Sequence, residues 1–146
     1  MNREETLALY KRTQEEGIHV WNNWANKMLQ ERKKLEETGE WEVIKNEPVN
    51  QKTKDWYKKS EINFSKLFNE HKFKYYINLS NCIFPGVVWF EHANLNETCE
   101  FKQAIFYEIV YFNDTKFTKS TTFHNSIFKN IAFFNNSKFE EQTSFS

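Results

Sequence analysis

The chain has 146 residues and a mass of 17.8 kDa, which suits one domain, or one domain with an appendage. Lys and Arg number 20 against 20 Asp and Glu, so neither the basic field of a nucleic-acid binder nor the acidic field of a decoy is present. With 3 Gly, 2 Pro and 18% aromatic residues, the composition excludes collagen-like and disordered chains. The amino end, Met1-Asn2-Arg3-Glu4-Glu5, carries no apolar signal core, and no apolar run approaches the ~20 residues of a membrane span. A cytoplasmic location is therefore expected.

Residues 2 to 39 read as helix. Asn2 with Glu5 three positions on forms a capping-box start. Leu7, Tyr10, Ile18, Trp21, Trp24, Ala25, Met28 and Leu29 fall on one face at helical spacing. Gly17 divides the segment, the mixed charges from Glu31 to Glu37 read as a solvated end, and Gly39 supplies a left-handed stop. Residues 42 to 54, with Pro48, read as a linker, and residues 55 to 59 as a short second helix. The expected division is 1–60, helical segment and linker, then 61–146, a repeat region.

The 15 phenylalanines of the chain are periodic. Phe68, Phe73, Leu79, Phe84, Phe90, Leu95, Phe101, Phe106, Phe112, Phe117, Phe123, Phe128, Phe134, Phe139 and Phe145 are separated by alternating steps of 5 and 6, and only Phe64 and Phe133 fall outside. From Cys82 onward the residue two before each is small or β-branched. At Lys66, His71 and Ile77 that rule fails. A large apolar residue with a small one two before it is an inward pair on extended backbone. Steps of five and six fit no helix, but they fit a stacked solenoid.

Ala93-Asn94-Leu95-Asn96-Glu97, Cys82-Ile83-Phe84 and Ala104-Ile105-Phe106 resemble the units of pentapeptide-repeat proteins. The similarity spans roughly residues 68 to 146. It implies a mainly β fold, a right-handed quadrilateral β-helix of about three and a half coils, 22 residues each, behind the helical segment. Trp21-Asn22-Asn23-Trp24-Ala25, followed by Met28 to Lys33, resembles a leader found before some bacterial domains of this family. No activity attaches to it. Some relatives are gyrase-binding DNA mimics. Residues 79–146, however, hold seven acids against five bases, far short of the charge density of a duplex, about one per 1.7 Å.

A 22-residue coil places residue i beneath i+22, so outward positions form ladders. One side presents Ile83, Ile105 and Ile127; the next presents Leu67, Trp89, Tyr111 and Phe133, with Val87, Ile109 and Ile131 leading into it. The third presents Asn94, Lys116 and Lys138. The fourth presents Asn78, Glu100, Thr122 and Ser144, with Thr98, Ser120 and Gln142 leading into it. Two adjacent sides are thus apolar. Either the amino-terminal segment covers them, or aromatic stacking up the ladder is enough, or they bind a protein partner or a second copy. Trp21, Trp24 and Met28 are the candidate cap. The chain ends on Phe145-Ser146, so the last coil is expected to stack on another copy, or the chain to be truncated.

No catalytic, cofactor-binding or metal-ligating residues are assigned. Cys82 and Cys99 occupy inward positions and read as inert thiols. His92 and Asp114 share a ladder, but without a nucleophile or pocket a surface contact is the better reading. No phosphate loop or nucleophile motif occurs. The expected function is a non-enzymatic scaffold for protein contact or self-association. The alternative is a DNA-mimic inhibitor of a nucleic-acid enzyme, which the neutral charge disfavours.

Overall fold

The computed structural model describes residues 1–66 and 77–146. Leu67, Phe68, His71 and Phe73 lie outside the described residues. Helix α1 spans Arg3–Glu16 and α2 spans Ile18–Glu37. The capping box closes α1: Glu5 N donates to Asn2 Oδ1 at 2.8 Å, and Asn2 N donates to Glu5 Oε2 at 2.8 Å. Gly17, at φ 112°, breaks the helix where a side chain would be strained. The two helices pack on one another.

The expected linker is more ordered than its composition indicates. Strands β1 (Val43–Ile44) and β2 (Glu47–Pro48) pair antiparallel around Lys45 and Asn46, at φ 50° and 66°. Two consecutive positive φ values are the type I′ hairpin pattern, normally filled by Asn-Gly, and its absence hid the hairpin. Helix α3 is Gln51–Ser60, longer than the expected 55–59, because the Asn50 side chain accepts from Thr53 N at 2.9 Å and starts it early.

A β-solenoid follows, with four sides and parallel pairing along its axis. Its strands are β3 (Ile62–Asn63), β4 (Ile77–Asn78), β5 (Ile83–Phe84), β6 (Val88–Trp89), β7 (Asn94–Leu95), β8 (Cys99–Glu100), β9 (Ile105–Phe106), β10 (Val110–Tyr111), β11 (Lys116–Phe117), β12 (Thr121–Thr122), β13 (Ile127–Phe128), β14 (Ala132–Phe133), β15 (Lys138–Phe139) and β16 (Thr143–Ser144). The sides are β5-β9-β13, β3-β6-β10-β14, β7-β11-β15 and β4-β8-β12-β16. From Ile77 onward every register is 22 residues, as in Ile83↔Ile105 and Ile105↔Ile127. Phe84, Phe106 and Phe128 stand one above another, with centroids 4.5 and 4.8 Å apart.

The entry to the solenoid departs from the expected phase. Ile62 pairs with Val88 and Asn63 with Trp89, an offset of 26 residues. Phe64, not Phe68, heads the column over Phe90, with centroids 4.8 Å apart. Asn63, not Leu67, takes the outward place below Trp89. Four extra residues therefore lie in the first turn.

Alternate corners differ. Where the step is five residues, Asn81, His92, Gln103, Asp114, Asn125 and Asn136 all have φ between 54° and 61°. Each corner is closed by a turn bond, such as Ala104 N donating to Phe101 O at 3.0 Å. A positive φ at the third turn position favours Gly or Asn. The six-residue corners carry no such residue.

The first coil leaves unpaired strand edges, and the helices fill them. Trp21 Nε1 donates to Ile83 O at 2.8 Å, while Asn22 Oδ1 accepts from Ile83 N at 3.0 Å. Asn22 Nδ2 donates to Asn81 O at 2.9 Å, and Thr6 Oγ1 accepts from Asn63 N at 3.1 Å. The fully buried Trp21 ring stacks on Phe64 at 6.1 Å and meets Phe84 edge-on at 5.5 Å.

Two outcomes follow. Trp21→Ala removes a buried ring and its hydrogen bond, and is expected to lower unfolding free energy by about 3–5 kcal/mol. Hydrogen exchange should show the amide of Ile83 losing protection before that of Ile105; equal loss at both argues against the cap. Gln103→Asn places a side chain tolerant of the left-handed region in its corner and is expected to add about 0.5–1 kcal/mol in a urea melt.

Candidate interaction surface

Outward side chains on the four walls differ in chemistry because strand alternation exposes one residue per two-residue strand. On the isoleucine wall Ile83 and Ile105 are half-buried and Ile127 is 49% exposed. On the aromatic wall Trp89, Tyr111 and Phe133 are half-buried and stack on one another, with centroids 4.3 and 5.3 Å apart. At the corner between these walls Val87 is half-buried, Ile109 is buried, and Ile131 is 46% exposed. The nine residues are thus brought together on two adjoining walls, and the two exposed ones, Ile127 and Ile131, both lie in the third coil.

The helical segment meets the corner between these walls in the first two coils. Gly86, at the same corner, lies against the end of α3: a Cβ there would sit 2.4 Å from Ser60 Oγ and 2.5 Å from its carbonyl carbon. One coil on, Glu108 is buried, and Arg32 Nη1 donates to its Oε1 at 2.5 Å. Asn130 Nδ2, one coil further, donates to the other carboxylate oxygen at 3.3 Å. The guanidinium of Arg32 lies over the rings of Trp41 and Trp56, 4.6 and 5.7 Å from their centroids. Burial and then Glu108 push the Tyr57 phenol up. Burial, then Glu47 of the hairpin and Glu91, push the Tyr111 phenol up.

Of the candidate cap residues, Trp21 covers the first coil, and Trp24 meets Trp21 edge-on at 5.7 Å. Met28 is buried, and its carbonyl accepts from Trp56 Nε1 at 2.7 Å, so it belongs to the packing of α2 on α3. The residues missed by sequence reasoning are Arg32, Glu108, Trp41 and Trp56. A lone acid in a corner column otherwise filled by Gly86 and Asn130 was the available signal.

The other two walls are polar and internally paired. Lys116 Nζ is 3.0 Å from Glu140 Oε1, Lys119 Nζ is 3.3 Å from Glu141 Oε1, and Lys102 Nζ is 2.9 Å from Glu100 Oε1. An open groove of about 310 Å³ runs along Thr98, Glu100, Lys102, Ser120, Thr122, Gln142 and Ser144. It holds hydroxyls, of which Ser120 Oγ donates to Glu141 Oε2 at 3.2 Å, and Glu100 paired with Lys102. His92 Nδ1 is 3.9 Å from Asp114 Oδ2, and both are solvent-facing. Cys82 and Cys99 are free and buried. Burial pushes both thiols up, that of Cys99, with help from Glu97, to about 12, so neither is a nucleophile near neutral pH. Among the described residues no cluster of three or more His, Cys, Asp or Glu is placed to hold a metal.

Residues 79–127 match the family model described as Pentapeptide repeats (9 copies). No curated protein and no solved structure matches the chain.

The corner ion pair generates a prediction. Arg32→Ala leaves the Glu108 charge buried without its cation and is expected to cost about 3 kcal/mol or more in a urea melt. Arg32→Met combined with Glu108→Leu should recover most of that loss. If the double variant is as unstable as the single one, the pair is not what joins the helices to this corner.

Proposed function

We propose that this chain, a pentapeptide-repeat β-solenoid with helices over one end, is a non-catalytic scaffold that contacts another protein through its apolar walls. The observation that carries the reading is the unequal cover of those walls. Ile109 is buried and Val87 half-buried beside Gly86 and Glu108, which α3 and Arg32 of α2 meet, whereas Ile127 and Ile131, one coil further, stand 49% and 46% exposed beside the stacked Phe133. Large apolar side chains grouped on one part of a surface favour a protein contact. The buried, free thiols suit a reducing compartment, which supports a cytoplasmic location.

Charge gives no support to mimicry of DNA. The acids of the polar walls lie beside lysines, Glu140 beside Lys116 and Glu141 beside Lys119, so no continuous anionic field develops.

The exposed positions, rather than the stacked Tyr111, are the ones to test. Ile127→Glu with Ile131→Glu is expected to leave the melting temperature within a few degrees, since both side chains already face water. The same variant should lose whatever copurifies with the wild-type chain, or its dimer if light scattering finds one. Unchanged association sinks the assignment of these walls.

A further inference from the structure

The carbonyls at the end of α3 lose their helical partners where the chain turns into the solenoid. A further helical turn would give Lys58 O and Lys59 O the amides of Ile62 and Asn63. Those amides go elsewhere: Ile62 N donates to Val87 O at 2.8 Å, and Asn63 N to Thr6 Oγ1 at 3.1 Å. The α-amino group of Met1 takes their place. It donates to Lys58 O at 2.7 Å, to Glu61 O at 2.9 Å and to Lys59 O at 3.4 Å. The Met1 side chain packs against the core, and the capping box of α1 begins at the next residue. An ammonium has three donors, and a cation is favoured at a helix C-terminus.

We propose that the α-amino group of Met1 is a latch that fastens α1 to the entry of the solenoid, and that Nα-acylation is the modification that releases it. The latch does not rest on the scaffold reading, since it lies at the covered end of the solenoid and not on the apolar walls. Acylation by an acyl thioester forms an amide bond at the nitrogen and breaks the C–S bond of the donor. Of the two protons the ammonium gives up, one leaves on the thiol and the other goes to water. The product is a neutral amide with a single N–H where three donors stood. Two of the three carbonyls lose their partner, and the acyl oxygen brings one more acceptor into a cluster of acceptors. The loss falls first on the neighbouring contact between the same two elements, Thr6 of α1 with Asn63 of β3.

The test compares three forms of the full chain, assembled by chemical ligation at Cys82: Met1 with a free amine, Nα-acetyl-Met1 and Nα-methyl-Met1. The methyl form adds bulk but keeps the positive charge and two donors. Amide hydrogen exchange is the readout. Expected is exchange at Asn63 about tenfold faster or more in the acetyl form, close to the free-amine rate in the methyl form, and unchanged at Val110 in all three. Equal rates at Asn63 in the three forms overturn the proposal. So does equal acceleration by methyl and acetyl, which reports bulk alone, and so does acceleration at Val110 as large as at Asn63, which reports global loss of the fold. Mass spectrometry of the protein from its source cell supplies the last check: a chain that begins elsewhere than at Met1, or whose Met1 is never free, overturns the latch. None of these outcomes bears on the variant Ile127→Glu with Ile131→Glu, which tests the apolar walls separately.

Discussion

Axial pairing in a 22-residue register, with hydrogen bonds between residues 21 or 23 positions apart, is the constraint from which the rest of the molecule follows. Val88 N donates to Ile109 O, and Val110 N to Ile131 O, each at 3.0 Å. This spacing sets the distance between stacked rings: Phe90 over Phe112, Phe101 over Phe123 and Phe117 over Phe139 are 4.6 to 4.8 Å apart. Face-to-face stacking is not what isolated rings prefer, and the backbone imposes it. Across the interior the preference is recovered, since Phe101 meets Phe112 at 84° and Phe112 meets Phe123 at 79°. The small residue two before each ring leaves room for this packing. Where it is polar it is satisfied: Thr115, Ser126 and Ser137 donate to the carbonyls of Phe90, Phe101 and Phe112 at 2.7 to 2.8 Å.

Pairing along an axis has a consequence at the first coil, whose strands have no earlier coil to bond. The cap meets it with side chains in place of backbone. Asn22 both donates and accepts, and Trp21 contributes a donor and a ring to the same edge. A helix suits this task because its own backbone is satisfied internally, so its side chains are free to mimic a missing strand. The segment with Trp21 and Asn22 thus acts as the coil that the repeat lacks.

The repeat was legible because it concerns identical neighbours. Phe84, Phe106 and Phe128 state their register by spacing alone, and so do the outward ladders. What broke the repeat was not legible. Phe64 looked like an outlier because four extra residues separate it from the phase of Phe90, and no local rule counts an insertion inside a turn. The hairpin at Lys45-Asn46 lacked its usual Gly. The pairing of Arg32 with Glu108 joins residues 76 apart, which no periodicity reports. The candidate surface was legible as columns, but which members of a column are covered depends on where α2 and α3 lie.

These failures share a cause that is itself informative. In a solenoid, equivalent positions in successive coils face nearly the same surroundings, so the internal environment asks for the same kind of residue at each. A departure therefore records something outside the repeat. Gly86 is small because the backbone at Ser60 comes within van der Waals distance of it. Glu108 is acidic in a buried place because Arg32 reaches it. Asn130 completes the same carboxylate's hydrogen bonds. The exposed Ile127 fits this logic differently: it continues Ile83 and Ile105 although the described residues leave it 49% exposed. Water alone gives no reason to keep a large apolar side chain at 49% exposure in a column where polar residues serve equally well on the opposite wall, as Lys116 and Lys138 do. The uninterrupted isoleucines are what the proposed contact with another protein would account for.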